Sequence, residues 1–198
     1  MQSALTSESD LTHRYRSLLG SIPGKVFVAV SATAFVAACA HISLPLPFTP
    51  VPLTLSNFAV ILVGLVLGPV AGFSAMVLYL TEGALGLPVF TPMTAGGGAH
   101  LIGPAGGYLF AYPLAAAAAG WTVRALQRVT SSFRAAVVAS IVASFPIFLL
   151  GAFWLAHLLH LSATAIWPLA VAPFVPGELV KITAAAGIFS TLQRWRRS

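Results

Sequence analysis

From Val26 to Val123 the chain carries one charged residue, Glu82. So long a stretch without charge is incompatible with a water-soluble domain, where about a quarter of residues are charged. Across the whole chain charged residues make up 7% and hydrophobic residues 58%, and the mean hydropathy is +0.93. These values place the chain in a bilayer. Its 198 residues make one domain by length. A spanning helix takes about 20 apolar residues, so six spans exhaust the sequence.

Proline and glycine divide the apolar sequence into six runs, and runs apolar on every face belong in lipid or in a bundle interior. The first is expected over Lys25 to His41. The second follows Pro52 and stops at Gly68-Pro69. The third opens at that proline, which suits the first turn of a helix, and ends near Gly86. A glycine-rich connection, Leu87 to Ile102, precedes the fourth, from Pro104 to Arg124. The fifth covers Arg134 to Leu159 and the sixth Pro176 to Arg194. The expected fold is therefore all-α: an integral membrane bundle of six transmembrane helices over residues 25–198, after a polar cytoplasmic tail over residues 1–24.

Basic residues set the orientation. Arg14, Arg16 and Lys25 precede or open helix one, Arg124, Arg128 and Arg134 bracket the link between helices four and five, and Arg194, Arg196 and Arg197 close helix six. With six spans these places share one side, which the positive-inside rule makes cytoplasmic. Both termini then face the cytoplasm, and the links after helices one, three and five, which contain no Lys or Arg, face outward. Trp121 and Trp195 fall at the inner interface and Trp154 and Trp167 near the outer one, as aromatic belts require. The net charge of +6 reads as topology and contact with anionic lipid. Nucleic acid is not an expected partner, because the basic residues form no stripe with interleaved aromatics.

Val36-Ala37-Ala38-Cys39 looks like a lipoprotein cleavage box, and Ala38-Cys39-Ala40 like a signal-peptidase site. Cleavage there would leave five spans and set the basic pattern on an odd count, so helix one is kept as a span. Cys39 has no disulfide partner within the chain. Ala29, Thr33 and Ala37 lie on one face of helix one and Ala34 and Ala38 on the next, spacings that let another backbone approach closely. That backbone belongs either to this bundle or to a separate partner.

Chemistry has few residues to draw on. Glu8 and Asp10 lie in the tail, which leaves Glu82 and Glu178 as the acidic groups in or beside the spans. Lys181 is the one basic residue away from the cytoplasmic ends. It follows Glu178 by three positions, so both share a helix face. Pro176 opens helix six, so Glu178 sits in the first turn where the helix dipole favours it, while the same dipole disfavours Lys181. An intramembrane charge needs a partner or a wet cavity. The pair either pins helix six as an internal salt bridge or faces a cavity and binds a polar solute. Glu82 reads as an interfacial carboxylate.

Other motifs fail. His157 and His160 have no nearby carboxylate or cysteine, so no metal site is expected. Gly72-Phe73-Ser74 lacks the second glycine of a serine nucleophile elbow. There is no P-loop, so any ATP hydrolysis belongs to another chain, and the sequence calls for no cofactor.

Five passages occur in a telling order: Leu46-Pro47-Phe48-Thr49-Pro50-Val51-Pro52-Leu53-Thr54-Leu55, Leu67-Gly68-Pro69, Gly83-Ala84-Leu85-Gly86-Leu87-Pro88-Val89-Phe90, Gly103-Pro104-Ala105-Gly106-Gly107-Tyr108-Leu109 and Pro176-Gly177-Glu178-Leu179-Val180-Lys181. In this order, over residues 23 to 193, the chain resembles the BioY family of biotin transporters, the substrate-binding S components of energy-coupling-factor (ECF) transporters. The resemblance implies high-affinity biotin uptake across the cell membrane by a multi-pass protein that is not an enzyme. It also implies a membrane coupling subunit, docked on the small-residue faces of helix one, and ATPase subunits. The family's motif at Glu178 and Lys181 usually has aspartate in the first place.

The implied ligand has a ureido ring with two N–H donors and a carbonyl, an apolar thioether ring and a carboxylate-tipped chain. Glu178 would accept from ureido N–H groups and Lys181 would meet a carbonyl or carboxylate oxygen; which end meets which residue stays open. Where the family commonly has glutamine this chain has Ser56, and Asn57 supplies an amide from the next position. Gly97 and Gly98, in the second outward link, offer backbone to a ligand or a mobile cover. Tyr108 and Tyr112, one turn apart, can pack against a ring. The alternative function is a self-sufficient proton-coupled carrier for a small vitamin-like solute, using Glu82 or Glu178; a membrane enzyme fits least, with so few polar groups at depth.

Overall fold

The structure is a computed structural model that describes residues 21–92 and 96–196. The tail residues Glu8, Asp10, Arg14 and Arg16, together with Arg197, lie outside the described residues. All six expected runs are helical. Helix α1 covers Ile22–His41, α2 Ser56–Leu67 and α3 Pro69–Ala84. The short α4, Gly98–Ile102, precedes α5, Gly106–Leu126, and α6, Ser132–Leu159. Then come α7, Ala163–Ala170, a 3-10 turn over Ala172–Phe174 and α8, Val175–Trp195.

Four helical stretches are long and apolar enough to cross a membrane: α1, α5, α6 and the stretch Ala163–Trp195 that joins α7 to α8. Helices α2 and α3, with 12 and 16 residues, are shorter than the spans the sequence led us to expect. The local causes are visible. Leu53–Thr54 (β2) pairs antiparallel with Ser43–Leu44 (β1), so the residues after Pro52 enter a ribbon before α2 begins. Helix α3 opens on Pro69 as expected and stops ahead of Gly86, whose φ of 95° only glycine adopts freely. Serine hydroxyls cap three helices: Ser21 for α1, Ser131 for α6 and Ser162 for α7.

Helix α5 is the hub, packed against α2, α3 and α6. At the end of the bundle that carries the arginines, helices meet backbone to backbone. A Cβ on Gly64 would collide with the Ala116 carbonyl, and one on Gly120 with Pro69 and Gly68. Arg124 donates to the Leu67 carbonyl at 3.3 Å, which satisfies an orphan acceptor at the end of α2. At the opposite end aromatic side chains tie the connections to the helices. Tyr79 donates to the Val89 carbonyl at 2.9 Å, Trp154 to Gly103 at 2.9 Å and Tyr108 to Ala170 at 2.7 Å.

The two small-residue faces of α1 separate. Thr33 is buried, and its hydroxyl, 2.9 Å from the Val30 carbonyl, shares its hydrogen with Glu82 Oε1 at 3.1 Å, so the face with Ala29 and Ala37 packs on this chain's own α3. Ala34 and Ala38 are exposed, as is Phe35 beside them. Cys39 is buried within α1.

Candidate functional site

Lys181 and Glu178 come together one turn apart at the start of α8. Lys181 is 8% exposed and Glu178 4%, so neither snorkels to water, and both charges need partners. Lys181 Nζ lies 3.7 Å from Glu178 Oε2 and donates to the Thr54 carbonyl at 2.7 Å. Ser144 of α6 donates to Glu178 Oε1 at 2.8 Å. The β-ribbon explains the Thr54 contact: pairing Leu53–Thr54 with Ser43–Leu44 brings that carbonyl over α8.

Beside the ion pair runs a chain of hydroxyls. The Thr54 and Ser56 hydroxyls lie 2.6 Å apart, Ser56 and Tyr112 also 2.6 Å, and Tyr112 donates to Asn57 Oδ1 at 3.1 Å. Each hydroxyl has one hydrogen. Since Tyr112 gives its own to Asn57, Ser56 must donate to Tyr112 and Thr54 to Ser56. The chain thus points one way and ends on the Asn57 amide, whose nitrogen is a double donor. Ser56 stands inside this chain of hydroxyls and Asn57 at its end.

These groups border a narrow cavity of about 50 Å³, room for a few waters. Asn57, Lys181, Tyr108 and Tyr112 line it, as do Tyr79, Phe148 and Phe174. The tyrosine rings are ordered by contact: Tyr79 stacks on Tyr112 with centroids 6.2 Å apart and meets Phe90 edge-on at 5.4 Å. The cavity therefore offers ring faces for an apolar body and a polar corner for its head. Phe148 also borders an apolar groove between α6 and α8, and Glu178 lies on that groove rather than on the cavity. The carboxylate accordingly stands behind Lys181. It does not line this cavity, which was one of the two roles the sequence left open for the pair.

Gly97 and Gly98 likewise do not line the cavity. Gly97, with φ 69°, turns the chain into α4, and that turn carries His100, three residues on, into the cavity wall. His100 is buried and its ring stacks on Phe90 at 4.9 Å. His100, Thr91, Tyr79 and Ser144 were missed by sequence reading. A polar residue next to an aromatic anchor, as Thr91 is next to Phe90, was the available signal for one of them. The pair His157 and His160 has ring centroids 6.5 Å apart, and among the described residues no three His, Cys, Asp or Glu side chains gather as metal ligands.

The family model that matches this chain is that of the BioY family, over residues 12–198. The chain belongs to the BioY family. Every cavity residue named above falls within that BioY match. The probable biotin transporter BioY of Pyrococcus horikoshii is 41% identical over 144 residues, which cover 73% of this chain and 82% of that protein. The biotin transporter BioY of Thermotoga maritima is 38% identical over 162 residues, covering 82% and 91%. Among solved structures, the S component for biotin from an ECF-type ABC transporter superposes with a TM-score of 0.77 at 26% identity, over 86% of this chain and 90% of that one. A second S component of a bacterial ECF transporter, 21% identical with a TM-score of 0.55 over 87% and 95%, shares the fold.

Proposed function

We propose that the chain binds biotin and takes it up across the cell membrane as the substrate-binding subunit of an ECF transporter. It is a transporter component and not an enzyme. The observation that carries the reading is the buried Lys181, set against Thr54 and the hydroxyl chain ending at Asn57, beside a cavity walled by aromatic rings. A ureido ring needs acceptors for two N–H groups and a donor for its carbonyl. The Thr54–Ser56–Tyr112–Asn57 chain and Lys181 supply both kinds. Lys181, Asn57 and Tyr108 touch the ligand, and Glu178 holds the ammonium in place from behind. Gly97 and Gly98 shape the turn that brings α4 over the cavity. Six membrane-crossing segments over residues 25–198 and a cytoplasmic tail over residues 1–24 complete the arrangement, with both termini on the cytoplasmic side.

Energy comes from elsewhere. A membrane coupling subunit docks on the exposed Ala34–Ala38 face of α1, and ATPase subunits drive the cycle. The purified chain titrated with biotin in a calorimeter should show saturable binding. Leucine at both Ala34 and Ala38 should keep that binding and abolish co-purification with the coupling subunit. A wild-type chain that gave no biotin heat would end the ligand assignment. Retention of the coupling subunit by the double variant would move the docking face elsewhere.

A further inference from the structure

The Lys181 cluster occupies one polar corner of the cavity, and a further polar group outside that cluster lines the same cavity. Thr91 is 7% exposed and lines the cavity. Among the described residues its Oγ1 has no hydrogen-bond partner although it is buried. A buried hydroxyl left without a partner is destabilising, and native proteins retain few of them.

The position of this hydroxyl is fixed by its neighbour. Phe90 is buried edge-on to Tyr79 and stacked on His100, and it fills the space that a Cβ on Gly83 would take. Tyr79 in turn bonds the Val89 carbonyl. The backbone on the N-terminal side of Thr91 is thus held by two separate contacts, and its side chain is delivered to the cavity by design of the segment. Ring contacts run from Phe90, next to Thr91, through Tyr79 to Tyr112, whose hydroxyl meets Ser56. Thr91 and the Ser56–Asn57–Lys181 corner border one cavity together with Tyr79 and Tyr112.

We infer that Thr91 is a specificity-determining contact for the ligand's carboxylate, to which its hydroxyl donates while the ring end lies at the Lys181 corner. This rests on the biotin reading above and assigns the orientation that reading left open. The donor count favours it: the ureido ring takes several acceptors and a donor, which the Lys181 corner gathers. A carboxylate oxygen needs only donors, and a hydroxyl is one. The chemical class recognised is a cyclic urea with an apolar body and a terminal carboxylate.

The test compares two ligands on three forms of the full chain. Biotin and its carboxamide are titrated calorimetrically into wild type, Thr91→Val and Thr91→Ser. Valine keeps the shape and removes the hydroxyl, whereas serine keeps the hydroxyl. Thr91→Val should bind biotin about tenfold more weakly, the scale of one hydrogen bond to a charged group, and lose less on the carboxamide, whose neutral carbonyl accepts a weaker hydrogen bond. Thr91→Ser should retain the wild-type preference for biotin over the carboxamide. Unchanged biotin affinity in Thr91→Val overturns the inference, as does an equal loss on both ligands, which would make Thr91 a wall residue only. A wild-type chain that binds neither ligand fails the biotin reading itself, a result separable from both.

Discussion

The two ends of the bundle are built in opposite ways. At the arginine-bearing end, Gly64, Gly72 and Gly120 bring α2, α3 and α5 into backbone contact. At the other end, Tyr79 of α3 and Tyr112 of α5 stack on each other, Tyr79 bonds the Val89 carbonyl, Tyr112 joins the hydroxyl chain, and Tyr108 bonds the Ala170 carbonyl at the end of α7. Small residues let helices close completely; large aromatic ones hold them apart and leave a lined space with polar tips. One end therefore seals and the other receives. Among the described residues, the helices at the glycine end meet backbone to backbone at Gly64 and Gly120. Passage then requires more than a side-chain movement, which agrees with a binding subunit driven by other chains.

The strongest challenge to this contrast is bulk at the sealed end. A leucine at Gly120 would force its side chain into the backbone of Pro69 and Gly68, and overpacking of this kind costs about 3 kcal/mol or more. Gly120→Leu should lose the monodisperse peak on size exclusion in detergent. Gly187, where an added Cβ meets nothing within 4 Å, should accept leucine without change. If Gly120→Leu melted like wild type, the arginine end would not be closed in the way described.

At the receiving end the critical group is Lys181. Lys181→Ala should weaken biotin binding at least tenfold, the loss of a hydrogen bond to or from a charged group. It also leaves Glu178 buried with Ser144 as its remaining hydrogen-bond partner, and breaking a buried pair costs about 3–5 kcal/mol. Adding Glu178→Gln removes that stranded charge. The double variant should therefore recover thermal stability in detergent while binding stays weak. Wild-type biotin affinity in either variant would take Lys181 out of the site, and recovery of binding together with stability would make the pair a structural clamp.

Much of this contrast was legible from residue order. The helical runs, the Pro69 start and the shared face of Glu178 and Lys181 follow from local chemistry. So does the small-residue character of α1, although only the fold could show that Thr33 turns inward while Ala34 and Ala38 stay exposed. Helix lengths were less legible. A two-residue ribbon depends on pairing across a loop, and no pattern within Leu53-Thr54 announces its partner at Ser43-Leu44. The same pairing sets Thr54 above Lys181, so the ammonium's hydrogen bond was hidden with it. The glycines drew attention to Gly97 and Gly98, yet glycine's role there is to turn the chain. The side chain that reaches the cavity is His100, on the next turn.

The mildest expected effect separates Glu82 from the cavity. Its carboxylate accepts a hydrogen bond from Thr33, and neither residue lines the cavity. The bond joins α1 to α3 and serves packing alone. Thr33→Val keeps the shape and removes the donor, at a cost of about 1 kcal/mol; for a chain of this length that corresponds to a melting point lower by about 2–4 °C. Biotin affinity should not change, because the aromatic wall and the Lys181 corner keep all their contacts. Should Thr33→Val instead lower affinity or make uptake depend on a proton gradient, Glu82 would be coupled to the bound solute. The sealed and receiving ends would then communicate through α1, and the proton-coupled carrier would become the better account of this chain.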